Sequence, residues 1–64
     1  MERMFVISVD GDLVKLRDES GEVCSRRIAR GHRFQVGETV DVEVKEVRGW
    51  NVATPVRSEV KKDA

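Results

Sequence analysis

The sequence predicts an all-β protein, a single five-stranded closed barrel. Three observations predict it. Five short segments rich in β-branched residues alternate with turn signals, and no stretch carries helical periodicity long enough to matter. At 64 residues the chain buries only about 60% of the surface its unfolded form exposes, so every apolar cluster must belong to one core. An open sheet with no helix to cover it would leave one face wet and two edges exposed, and closure removes both problems.

The first strand is residues 4–9, followed by Asp10-Gly11-Asp12, whose Asp-Gly pair tolerates the positive φ of a tight hairpin. The second is residues 13–17, and Asp18-Glu19-Ser20-Gly21 turns it into a third at 22–28, where Arg26-Arg27 interrupts the alternation. Residues 29–38 hold Gly31 and Gly37 and read as a short loop or a single helical turn. The fourth strand, 39–47, has the cleanest pattern: Val40, Val42 and Val44 on one face, Asp41, Glu43 and Lys45 on the other. Arg48-Gly49 leads into a fifth strand at 50–54, and Pro55, which has no amide hydrogen to donate, marks the expected end of pairing. Three tight turns and one longer connection suit a meander whose edges close. The barrel is thus expected over residues 1–56 and a charged flexible C-terminal tail over 57–64.

The expected core is Val40, Val42, Val44, Leu16, Ile28, Phe5 and either Val6 or Ile7, with Phe34 plugging a barrel end and Cys24 a small buried residue. Lys plus Arg equals Asp plus Glu, at 12 each, so attraction to a polyanion must come from local segregation of charge. The lone cysteine excludes an internal disulfide and points to a reducing, cytoplasmic setting. The apolar run Met4-Phe5-Val6-Ile7 is far short of the roughly 20 residues of a membrane span, so no membrane partner is expected.

Catalysis finds no support: the single histidine has no nucleophile partner within sequence reach, and no glycine-rich loop opens a helix. Cys24 and His32 alone leave a zinc site two ligands short, and Asp10-Gly11-Asp12 lacks the further carboxylates of a calcium loop. No cofactor or metal is expected, and the reading is a monomeric, non-catalytic binding domain. The strongest local feature is Arg26-Arg27-Ile28-Ala29-Arg30-Gly31-His32-Arg33, with four arginines, one histidine and no acid. Guanidinium forks suit phosphate oxygens, and Lys15 and Arg17 share a face that extends the patch. The alternative is that these arginines pair with Glu22, Asp41 and Glu43 on an ordinary surface.

Phe34-Gln35-Val36-Gly37-Glu38-Thr39-Val40-Asp41-Val42-Glu43-Val44 resembles the run into the fourth strand of OB-fold proteins of the cold-shock and initiation-factor-one type. Val9-Asp10-Gly11-Asp12-Leu13-Val14-Lys15-Leu16, followed by Gly21-Glu22-Val23, looks like the first three strands of the same group. Val47-Arg48-Gly49-Trp50-Asn51-Val52-Ala53 is similar to the end of a TRAM-type RNA-binding domain. The sequence is also comparable to the OB domains of membrane-protease partners and to small hydrogenase-maturation chaperones. The resemblance implies an OB-like barrel that binds RNA or single-stranded DNA, with Trp50, beside the loop that borders the ligand groove, as a stacking platform or a packed ring.

The first expectation is therefore weak, largely sequence-independent binding of RNA or single-stranded DNA through Lys15, Arg17, Arg26, Arg27, Arg30, His32 and Arg33, with Trp50 at the edge. The second is a protein-interaction module, an adaptor or chaperone-like barrel whose acids Asp41, Glu43 and Glu46 oppose the arginines in a dipolar surface. The arginine cluster favours the first. The absence of any aromatic residue in the second and third strands, where cold-shock proteins stack bases, favours the second.

Overall fold

In the computed structural model, which describes residues 1–57, the alternating segments form β1 (Glu2–Asp10), β2 (Leu13–Arg17), β3 (Val23–Ile28), β4 (Thr39–Val47) and β5 (Trp50–Val56). They close into a barrel in the order β1-β2-β3-β5-β4, with β4 returning to pair with β1. Every neighbouring pair is antiparallel except β3 with β5, which run parallel. This order is compatible with an OB-like fold and replaces the expected meander, because the connection between β3 and β4 crosses the barrel and leaves room for β5 between them.

That connection, residues 29–38, is a loop without helix, anchored at both of its ends. Phe34 is buried in the core as expected. Gly37 N donates to the Val6 carbonyl and Val6 N to the Glu38 carbonyl, both at 2.9 Å, which delivers β4 beside β1. Arg57 Nη2 closes the far side, donating to the Arg33 carbonyl at 3.0 Å and to Glu38 Oε2 at 2.7 Å. The tail expected beyond Arg57 lies outside the described residues.

Met4, Val6, Val14, Leu16, Phe34, Val40, Val42 and Ala53 make the core, with Cys24 and Ile28 half-buried against it. In β1, Val6 faces Leu16 while Ser8 faces Lys15, so Ile7 is the extra residue of a bulge and Val6 takes the interior position. Phe5 therefore points outward, correcting its expected place in the core, and the Arg17 guanidinium covers its ring at 4.8 Å. Val44 is the second correction: it lies on the inner face beside Ala53 yet remains 39% exposed. β1 pairs with β4 only as far as Glu2 opposite Val42, so β1 does not reach Val44 to cover it. Pro55 is the third. The ladder runs past it, Pro55 opposite Val42 and Val56 opposite Asp41, because β3 pairs with β5 only at Val52 and Ala53 and an absent amide hydrogen on the open edge costs no ladder bond.

Candidate functional site

Residues 43–52 of β4 and β5 extend past the part of the barrel that β1 closes, as a two-stranded ribbon. The turn at its tip has two residues, Arg48 at φ 51° and Gly49 at φ 82°, the double positive that a type I′ hairpin requires. From that turn the register is set: Val47 lies opposite Trp50, Lys45 opposite Val52 and Glu43 opposite Thr54. These six share the outer face, and Trp50 is 55% exposed on it.

At the base of the ribbon β5 meets β3, with Val52 beside Arg27, and Leu13 of β2 lies on the other side of Arg27. The β1–β2 turn is held against the end of β3 by a 2.7 Å bond from Ile28 N to the Asp12 carbonyl. These elements enclose an open groove of about 880 Å³, lined by Asp12, Arg27, Arg30, Lys45, Val47, Arg48, Trp50 and Val52 among others. Four of its lining side chains are cationic and one is anionic. Arg27 Nη2 is 3.1 Å from Asp12 Oδ2, and its guanidinium carbon stands 4.5 Å from the Trp50 ring centroid. Within the described residues no carboxylate lies within ion-pair distance of Arg30 or Arg48, while Lys45 sits 3.9 Å from Glu43.

Arg48 carries a further signal. An L-residue other than Gly, Asn or Asp in the left-handed region costs roughly 1–2 kcal/mol, and Asn is the usual partner for Gly in this turn. The chain instead holds a long cation there, in the lining of the groove.

The residues singled out in the sequence do not all come together. Arg27, Arg30 and Trp50 meet in the groove. Lys15 is exposed on the same outer face of β2 but does not line it. Arg17 lies at the far end of β2, over Phe5, in a separate cleft of about 290 Å³ with Arg3, Asp18 and Glu19. His32 and Arg33 are exposed in the β3–β4 connection, outside the groove lining. Arg26, opposite Val14, is turned to the inner side; its Nη1 donates to the Ser25 carbonyl at 3.0 Å and its Nε is buried without a partner among the described residues.

Sequence reasoning missed Lys45, Arg48 and Asp12 as groove residues. Two signals were available. Counting outward from a two-residue Arg48-Gly49 turn places Lys45, Val47, Trp50 and Val52 on one face, and neighbours within a strand, such as Arg26 and Arg27, must point to opposite faces. Among the described residues no three His, Cys, Asp or Glu side chains gather as a metal site, and no helix is long and apolar enough to cross a membrane. No protein-family model, curated protein or solved structure matches the chain.

Proposed function

We propose that this chain binds single-stranded RNA or DNA in the groove between the β1–β2 turn and the β4–β5 ribbon, without catalysis and with little sequence preference. The observation that carries the reading is a half-exposed indole set among four cations and one acid in one open groove. Such a groove offers a backbone track and a stacking surface together, and stacking tolerates any base because every base has a π face. The OB-like strand order and the resemblance to cold-shock, initiation-factor-one and TRAM domains support the same reading. The aromatic residue here is supplied by β5 rather than by β2 and β3.

The test is a titration of dye-labelled mixed-sequence single-stranded RNA and DNA at low salt, followed by the fluorescence anisotropy of the label, which also reads a variant lacking Trp50, the only tryptophan. Binding with a dissociation constant of about 1–100 μM, the range of non-specific nucleic-acid association, supports the reading. Trp50→Ala should weaken it by roughly 1–3 kcal/mol and leave its salt dependence unchanged, because stacking releases no counterions. Absence of binding at these concentrations overturns the reading and returns the groove to a protein partner.

A further inference from the structure

Trp50 is open to solvent, yet one face of its ring is already occupied. The Arg27 guanidinium lies over it at 4.5 Å and is also paired with Asp12 at 3.1 Å. The three residues come from three elements whose backbones fix them. Asp12 is tied to the end of β3 through its carbonyl. Arg27 is paired with Leu13 on one side and Val52 on the other. Trp50 is set by the type I′ turn and its pairing with Val47. A guanidinium and a nucleobase cannot share one face of an indole.

We propose that Asp12, Arg27 and Trp50 form a latch across the groove, opened by exchange: an incoming nucleotide's base replaces the guanidinium on Trp50 while its phosphate replaces Asp12 as the anion beside Arg27. The ligand in this proposal rests on the nucleic-acid reading above. Both partners of Arg27 in the free protein, a π face and a carboxylate, have their counterpart in one nucleotide, so the exchange keeps the guanidinium paired and gives the Asp12 carboxylate back to solvent, where its side chain is already largely exposed. A polyanion without rings supplies only the anion. A duplex supplies the anion but keeps its base faces stacked inside. The latch thus narrows the groove's ligands from polyanions in general to unpaired nucleotides, and Asp12 is the positioning residue that sets this selectivity. The ion pair is partly exposed, with side chains 38% and 64% accessible, so salt loosens the latch while it weakens phosphate contacts.

The closed latch is tested first in the free chain, by acrylamide quenching of Trp50 fluorescence. Asp12→Asn should raise the quenching constant, because the guanidinium over the ring loses the carboxylate that holds it there. Asp10→Asn, which removes the same charge two residues away on an acid that does not line the groove, should leave it unchanged. Equal quenching in all three proteins overturns the latch. The exchange is tested by titration with mixed-sequence single-stranded RNA and, separately, inorganic polyphosphate. Asp12→Asn should bind RNA about three- to fivefold more tightly than the unaltered chain, the weight of one exposed ion pair, with Asp10→Asn within about twofold. The unaltered chain should prefer RNA to polyphosphate of equal charge. Equal gains in the two variants, or equal binding of the two polymers, overturn the exchange. Raised quenching in Asp12→Asn with no RNA binding by any of the proteins confirms the closed latch and overturns the nucleic-acid reading instead.

Discussion

Val42 and Val44 sit two residues apart on the same face of the same strand, yet one is 1% exposed and the other 39%. The first lies where β1 and β5 flank β4; the second lies where β1 has ended and only β5 remains. The closed barrel and the ribbon that leaves it are thus made of the same strands obeying the same alternation. Alternation assigns a residue to a face, and only the neighbouring strands decide whether that face is covered. In this protein the covered part supplies stability and the uncovered part supplies the groove.

The two regions should differ most when the same charge is placed in each. Val42→Asp would bury an unpaired carboxylate at a cost of several kcal/mol, against the ~3–5 kcal/mol a core of this size supplies, so that variant should be unfolded. Val44→Asp should stay folded, with a loss of about 1 kcal/mol or less, as for other surface substitutions. Circular dichroism melts of the two variants check this, and equal damage in both would mean that the ribbon is covered after all.

A gentler comparison uses truncation. Leu16→Ala, in the closed region, should cost about 2–5 kcal/mol of stability. Trp50→Ala, in the ribbon, should cost less than about 1 kcal/mol, the worth of its exposed contact with Arg27. Denaturant titration of both proteins gives the two numbers, and a Trp50→Ala loss as large as that of Leu16→Ala would make the indole a packing residue.

Arg48 sharpens the comparison further, because there stability and binding should move in opposite directions. Arg48→Asn relieves the positive φ of 51° and should stabilise the chain by about 1 kcal/mol. It also removes a groove cation, so nucleic-acid affinity should fall in the same variant. A loss of both would mean that the arginine makes a stabilising contact.

The smallest effect belongs to the β2–β3 turn. The Asp18 carboxyl is held below its ordinary value of 3.8, first by the Ser20 hydroxyl at 2.7 Å and then by the Glu22 amide at 2.9 Å, with the Ser20 and Gly21 amides adding to the same effect. A carboxyl lowered by folding favours the folded state above its unfolded value and loses that contribution as pH falls through the folded one. Ser20→Ala should therefore be slightly less stable than the parent near neutrality, and the difference should shrink in acid below about pH 4. A difference that grows in acid would contradict the assignment.

The strands, their turns and the valines of β4 were legible because hydrophobic period and turn chemistry are local properties. The order of β5 between β3 and β4 was not, since it depends on how a ten-residue loop with Phe34 as its plug crosses the barrel. The inward position of Val6 rather than Phe5 follows from parity, which a single bulge at Ile7 resets along β1. At the candidate site, Trp50 and Arg27 stood out in sequence because their residue types are unusual there. Arg17, Arg26 and Arg33 stood out equally, and the barrel sends them to three other places, since neighbours in sequence are not neighbours on a sheet.

Groove and outer cations separate in the salt dependence of single-stranded RNA binding by two triple variants of equal charge. One replaces Arg30, Lys45 and Arg48 in the groove by Gln; the other replaces Lys15, Arg17 and Arg33 outside it. For the unaltered chain about three phosphate contacts give a log-log slope near −2, at about −0.7 per contact on a single strand. The groove variant, which keeps Arg27, should bind far more weakly with a slope reduced to about −0.7, while the outer variant should keep its affinity and slope. A flattened slope in the outer variant with the groove variant unchanged would contradict this and move the ligand to the sequence-contiguous arginines.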